Sequence, residues 1–148
     1  MNNNLPPGVS ADRFSGLLDE FRAIVGSEWV FTDPTGELSP YLDRMSPTPP
    51  ELRIPSAAVA PANVEQMQQL VKLANAAKAA IWYYGTGKNF GYGGPVPRLN
   101  GLIVLDLKRM NRILEVNEQQ AYAVVEPGVS YIQLYQHLQE TGSDLWID

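Results

Sequence analysis

The stretch that decides the fold runs from Ile81 to Asp106 and consists of two apolar runs on either side of a glycine-rich segment. The order is Ile81-Trp82-Tyr83-Tyr84, then Gly85-Thr86-Gly87-Lys88-Asn89-Phe90-Gly91-Tyr92-Gly93-Gly94-Pro95, and after a short connection Leu102-Ile103-Val104-Leu105. The first run is aromatic and β-branched and predicts a strand, and the last is typical of a strand covered on both faces. Because glycine backbones can approach a ligand closely, successive N–H groups between these strands can converge on an anion such as a pyrophosphate.

The spacing within this glycine loop excludes two familiar phosphate-binding devices. Counting from Gly85, the third glycine of a Rossmann fingerprint would fall at Phe90. Lys88 is followed by Asn89, whereas a P-loop needs serine or threonine there for its magnesium. Judged on its own, the segment therefore supports either an anion cradle or an ordinary surface connection.

The residues before the loop predict a β-α-β unit. Residues 57–60 form a short apolar strand, and Asn63 with Gln66 makes a capping box for the helix that follows. Since that helix leads into the strand at 81–84, the two strands should be parallel with a right-handed crossover. The glycine loop then leaves the carboxyl end of a strand, where open α/β sheets bind their ligands.

The N-terminal part predicts a helix and then a proline-rich segment. Ser10 caps a helix with one apolar face, and Gly26 ends it. The following residues, 27–55, hold a short strand at 29–31 and many prolines, which favour an extended arm over a larger body or, as the alternative, a plain linker.

The C-terminal part predicts further strands and a third helix. Strands are expected at 102–107, 113–116 and 121–126, the last ending at a sharp bend. Ser130 and Gln133 make a second capping box for a helix expected to bury Tyr131, Leu134, Tyr135 and Leu138.

The composition limits the classes of function that this chain is expected to have. The chain has 148 residues, 45% of them hydrophobic, which suffices for one domain with a core. It carries a formal net charge of −5 without a basic patch, so nucleic acid is not an expected partner. It has no cysteine, and His137, its single histidine, is interpreted as structural, so no metal site is expected. It has no apolar run long enough for a membrane span and no signal peptide, so we expect a cytoplasmic protein with no membrane partner.

Four motifs, taken together, resemble one flavoprotein family, that of vanillyl-alcohol oxidase, eugenol oxidase and 4-cresol dehydrogenase (p-cresol methylhydroxylase). They occur in the same order and at similar spacing over essentially the whole chain, and they are Tyr41-Leu42-Asp43-Arg44-Met45-Ser46-Pro47, Pro55-Ser56-Ala57-Ala58-Val59, Gly85 to Gly94, and Tyr122-Ala123-Val124-Val125-Glu126-Pro127-Gly128-Val129. The resemblance implies an α+β fold, the N-terminal part of a two-subdomain FAD-binding domain of the p-cresol methylhydroxylase type. We expect a βαβ unit followed by a mainly antiparallel sheet with a helix. We also expect residues 1–55 to form the helix and arm, and 56–148 an FAD-binding domain that is incomplete at its C-terminal end.

The resemblance also implies site residues. The glycine loop would wrap the FAD pyrophosphate, and the turn at Glu126 would lie along the cofactor. The residues implied to bind FAD are Tyr84, Gly85, Thr86, Gly87, Lys88, Asn89, Phe90, Gly91, Glu126, Pro127, Gly128 and Val129. Tyr92 resembles the tyrosine that hydrogen-bonds the phenolic oxygen of the substrate and is the implied catalytic residue, whereas its spacing alone favours a packing role.

The implied reaction is hydride transfer from the benzylic carbon of a para-substituted phenol to FAD. The implied partners are a phenolic small molecule, oxygen or a cytochrome c subunit as electron acceptor, and further copies of the complete protein in a homo-oligomer. A cytochrome partner would favour the periplasm. Alternatives are an FAD-dependent oxidase or dehydrogenase of hydroxy acids or sugar alcohols, and a non-catalytic nucleotide-binding module. Because relatives are several-fold longer and the chain ends within an expected strand, we expect a fragment of a longer enzyme. The alternative is a naturally short protein that has lost the chemistry.

Overall fold

A four-stranded sheet carries the glycine loop. The computed structural model describes residues 4–33, 36–42, 53–87, 97 and 99–147. The strands are β1 (Val30–Phe31), β2 (Ala57–Val59), β3 (Ile81–Tyr84) and β4 (Ile103–Asp106), arranged in the order β1-β2-β4-β3. β1 is antiparallel to β2, while β2, β4 and β3 are parallel. The predicted parallel arrangement of β2 and β3 is confirmed. β4 lies between these two strands, not beside the antiparallel strands that follow it.

Two helices cover one face of this sheet, and both begin at the predicted caps. α1 (Ala11–Val25) starts at Ser10, whose Oγ accepts a hydrogen bond from the Arg13 amide at 3.3 Å. α2 (Val64–Ala76) starts at Asn63, whose Oδ1 accepts from the Gln66 amide at 2.9 Å. These side chains satisfy N–H groups that have no partner within the first helical turn.

The alternation of side chains along β4 divides the core in two. Ile103 and Leu105 pack with the helices, on the face that also receives Val59. Val104 points to the opposite face, where it packs with Ala58 and with Leu38 and Tyr41 of the proline-rich segment. Since successive residues of a strand face opposite sides, the unbroken apolar run reflects burial on both faces, as predicted.

A second, smaller unit follows β4. A turn of 3-10 helix at Leu107–Arg109 leads to an antiparallel pair, β5 (Ile113–Asn117) and β6 (Tyr122–Val125), and then to α3 (Tyr131–Thr141). α3 begins at Ser130, whose Oγ accepts from the Gln133 amide, and ends at Gly142, which has a φ of +68°. Among the residues that the structure describes, no helix combines the length and the hydrophobicity that a membrane span requires.

The prediction for the buried face of α3 is wrong for its two tyrosines. Tyr131 is 74% exposed and Tyr135 is 55% exposed, whereas Leu138 is buried. Trp146, beyond the helix, is 86% exposed, and residues 143–147 form no strand. The spacing identified an apolar face correctly, but no described segment covers its N-terminal half.

Candidate functional site

The glycine loop begins where β3 and β4 end side by side. The parallel register pairs Tyr84 with Asp106, so their side chains lie on the same face at the carboxyl edge of the sheet. A cavity of about 230 Å³ opens at this edge, and it is lined by Tyr84, Gly85, Thr86, Asp106 and Lys108. The structure therefore has a cavity at the edge of the sheet from which the glycine loop leaves.

Gly85 brings two of the predicted cofactor segments into contact. A Cβ atom at this position would lie 2.3 Å from the carbonyl oxygen of Pro127, so only glycine fits without a backbone shift. Pro127 belongs to the Glu126-Pro127-Gly128 turn after β6. The start of the glycine loop and this turn, 42 positions apart, are thus packed backbone to backbone.

Gly128 fixes the other side of the turn. Its amide donates to the carbonyl of Met110 at 2.7 Å. A Cβ atom at Gly128 would lie 2.5 Å from the carbonyl oxygen of Leu107 and 2.7 Å from that of Met110. The Val129 amide donates to the Glu126 carbonyl at 3.1 Å. Because the amides of Gly128 and Val129 are already bonded within the protein, the turn can form a wall of a cofactor site but does not offer these two amides as donors.

Glu126 links the turn to Arg112, the residue that precedes β5, through an ion pair and a backbone hydrogen bond. Its Oε1 accepts from the Arg112 guanidinium at 2.7 and 3.1 Å, and its Oε2 accepts from the Arg112 amide at 2.8 Å. The carboxylate is 7% exposed, whereas the guanidinium side chain is 70% exposed. The hydrogen bonds from the Arg112 side chain and amide lower the pKa of Glu126 below its ordinary value of 4.5.

Replacing Glu126 by glutamine is expected to make the stability of the fold less dependent on pH in the acidic range. A carboxylate with a lowered pKa contributes stability that is present above its ordinary pKa and is lost as the pH falls through the lowered value. Between pH 7 and pH 3, the thermal unfolding temperature of Glu126→Gln should therefore fall less steeply than that of the parent chain. Glu118→Gln, at an exposed turn position, is the control. An equally steep fall in Glu126→Gln would contradict a role for the carboxylate.

Asp106 is the centre of a polar cluster that the sequence reasoning did not identify. It is 1% exposed, its Oδ2 accepts from the Tyr41 hydroxyl at 2.7 Å, and its Oδ1 accepts from the Lys108 amide at 3.0 Å. The Lys108 ammonium lies 3.0 Å from Oδ2. The signal available in the sequence was an acidic residue at the end of an unbroken apolar run, followed two positions later by lysine.

Two tyrosines share the environment of Asp106. The Tyr41 and Tyr84 rings meet edge to face, with centroids 5.9 Å apart. Burial is the first cause that raises the pKa of both hydroxyls, and the Asp106 carboxylate raises the pKa of both further. Both side chains therefore remain protonated, and the Tyr41 hydroxyl acts as a hydrogen-bond donor to Asp106.

The predicted site residues fall into two groups. Tyr84, Gly85 and Thr86 line the cavity at the carboxyl edge of the sheet, Gly87 follows them in the chain, and Gly85 also contacts the turn at 126–129. The predictions for Lys88, Asn89, Phe90, Gly91 and Tyr92 lie outside the described residues.

This arrangement fits an anionic group held by backbone amides. Gly87 has a φ of +66°, a left-handed conformation of the kind that turns successive N–H groups toward one point. Among the described residues, no backbone hydrogen bond joins the Thr86 or Gly87 amide to another residue. The close approach of Gly85 to the Pro127 carbonyl places the start of the glycine loop against the turn at 126–129.

The fold and the site define a class, and the chain belongs to it: the FAD-binding domain family, whose model matches residues 55–148. FAD is therefore the cofactor of this domain. The family predicted from the four motifs is confirmed by individual relatives.

The flavoprotein subunit of 4-cresol dehydrogenase (hydroxylating) from Pseudomonas putida is 42% identical over 139 residues, which cover 94% of this chain and 26% of that protein. The structure of p-cresol methylhydroxylase with substrate bound has a TM-score of 0.89 at 41% identity, and the match covers 94% of this chain and 27% of that one. The isoeugenol complex of 4-ethylphenol oxidase from Gulosibacter chungangensis has a TM-score of 0.90 at 42% identity, and the match covers 97% and 28%. The chain thus spans about a quarter of the length of these relatives.

Proposed function

We propose that this chain supplies the pyrophosphate-binding part of an FAD-dependent oxidoreductase that acts on para-substituted phenols. The observation that carries the proposal is the packing of Gly85 on the Pro127 carbonyl, which joins the glycine loop to the turn at 126–129. The 42% identity to a 4-cresol dehydrogenase subunit supports a phenol as the substrate class.

In this proposal the residues of the chain bind and orient the cofactor. The amides of Thr86 and Gly87 donate to the pyrophosphate, and the Glu126-Pro127-Gly128 turn forms a rigid wall beside it. FAD held by these residues would supply the acceptor for the hydride that leaves the benzylic carbon of the phenol. Oxygen or a cytochrome c subunit is the proposed final electron acceptor, and the complete protein is proposed to be a homo-oligomer.

Tyr92 is the proposed catalytic residue on the substrate side. A phenol has an ordinary pKa near 10, so a site working near neutral pH needs donors that stabilise the phenolate. The phenolate assists the reaction because its charge moves toward the carbon that loses hydride. A tyrosine hydroxyl can supply one such hydrogen bond, which is charge-assisted and stronger than a neutral one.

A chimeric enzyme tests this proposal. The chain replaces the matching 139-residue stretch of the Pseudomonas 4-cresol dehydrogenase flavoprotein subunit, and 4-cresol oxidation is followed in the chimera. We expect turnover, and we expect Tyr92→Phe in the chimera to lower kcat/KM by roughly ten- to a hundredfold through the loss of one charge-assisted hydrogen bond. Tyr83→Phe, which changes an exposed tyrosine of β3, is the matched control and should turn over normally.

The outcomes separate the parts of the proposal. A chimera that binds FAD and oxidises 4-cresol equally well with and without the Tyr92→Phe substitution contradicts the proposed catalytic role of Tyr92. A folded chimera that does not retain FAD contradicts the cofactor-binding role itself.

A further inference from the structure

We propose that Lys108 is a further cofactor-binding residue, whose ammonium contacts the FAD pyrophosphate beside the glycine loop. The inference rests on the proposed function and adds a side-chain cation to a site so far built from backbone groups. Lys108 lines the same cavity as Gly85 and Thr86, although it lies 22 positions after Thr86, beyond β4.

The Lys108 ammonium is held in place before any ligand binds. It lies 3.0 Å from Asp106 Oδ2 and 4.7 Å from the centre of the Phe31 ring. The Lys108 amide donates to the other oxygen of the same carboxylate. Because both ends of the residue are fixed on one buried group, the side chain loses little additional freedom when it binds an anion.

The ammonium keeps donors for a ligand. An ammonium has three N–H donors, and Asp106 is its one ion-pair partner among the described residues. The side chain is 44% exposed, so a ligand at the cavity can reach it. The negative charge of Asp106 is shared with the Tyr41 hydroxyl, which weakens its repulsion of a nearby phosphate.

The neighbouring cations on the same connection are already engaged. Arg109 donates to the Ala60 carbonyl at 2.8 Å and lies over the Trp29 ring at 4.1 Å. Arg112 is paired with Glu126. The chain also has a formal net charge of −5, which disfavours an anionic cofactor at long range. Lys108 is thus the cation of this connection that is placed to offset that charge at the cavity.

Binding of three ligands to the 148-residue chain tests the inference. FAD and riboflavin are followed by flavin fluorescence, and ADP by calorimetry; FAD and ADP carry the pyrophosphate, whereas riboflavin does not. We expect Lys108→Met to weaken FAD and ADP binding by about tenfold each through the loss of one charge-assisted contact, with riboflavin unchanged. Lys108→Arg, which keeps the charge, should restore most of the affinity. Lys72→Met removes an exposed lysine of α2 and should bind as the parent chain does.

A salt titration adds a readout that a purely structural role would not move. Raising the ionic strength should weaken FAD binding by the parent chain more than by Lys108→Met, because salt screens an attraction that the variant no longer has. Equal FAD and ADP affinities in Lys108→Met and the parent would overturn the inference while leaving the proposed function intact. Equal losses for all three ligands would assign Lys108 a structural role and also overturn it. A parent chain that binds neither FAD nor ADP would contradict the proposed function together with the inference.

Discussion

Replacing Gly85 by alanine is expected to lower the free energy of unfolding by about 2–3 kcal/mol and to weaken FAD binding by roughly tenfold or more. The added methyl group would lie 2.3 Å from the Pro127 carbonyl oxygen, which is far inside van der Waals contact. Since that oxygen belongs to the backbone, the glycine loop and the turn must separate. Thermal unfolding and flavin fluorescence measure the two effects.

Gly16→Ala is the matched control for this substitution. Gly16 lies inside α1, and the nearest atom to an added Cβ would be 3.9 Å away. The same chemical change should raise the unfolding free energy by about 0.5–1 kcal/mol, since alanine favours a helix interior over glycine. If Gly85→Ala unfolded and bound FAD as the parent does, the proposed contact between the two cofactor segments would be wrong.

Replacing Asp106 by alanine is expected to lower the free energy of unfolding by about 2–4 kcal/mol. The change leaves the hydroxyl of Tyr41, a residue that is 2% exposed, without its acceptor, and frees Lys108 from the ion pair. It also opens a space where β4 ends. Chemical denaturation monitored by tryptophan fluorescence measures the loss.

Two milder substitutions test whether the stability of the polar cluster depends mainly on Asp106. Tyr41→Phe removes one donor and leaves the carboxylate paired with Lys108, so its cost should be about 1–2 kcal/mol. Asp106→Asn keeps the shape and one acceptor oxygen and should fall between Tyr41→Phe and Asp106→Ala. An Asp106→Ala protein no less stable than Tyr41→Phe would contradict the central position of the carboxylate.

The local features of the fold could be predicted because their causes are local. Ser10, Asn63 and Ser130 begin helices, since a short polar side chain can reach an amide three residues ahead. The apolar run from Leu102 to Leu105 marked a strand buried on both faces. These predictions depend on neighbouring residues, and the structure confirms them.

The features that failed or were missed depend on distant parts of the chain. Helical spacing placed Tyr131 and Tyr135 on one face, but it does not say what covers that face. The hydrogen bond between Tyr41 and Asp106 joins residues 65 positions apart. It forms because β4 inserts between β2 and β3, an order that no local pattern encodes.

The candidate site also combines features that local sequence predicts with contacts that depend on distant residues. The sequence predicted that the glycine loop leaves the carboxyl end of β3, and the structure places it there. The resemblance supplied the turn at 126–129 as a second cofactor segment. Its contact with Gly85, and the position of Lys108 on the cavity, became visible only in the assembled sheet.

Amide chemical shifts test the anion cradle most directly. In 15N-labelled protein titrated with ADP and then with FAD, the account predicts saturable shifts at the amides of Gly85, Thr86 and Gly87. It also predicts smaller shifts at Gly128 and Val129, whose amides are bonded within the protein. Saturable binding that leaves the three loop amides unmoved, with shifts confined to other parts of the chain, would contradict it.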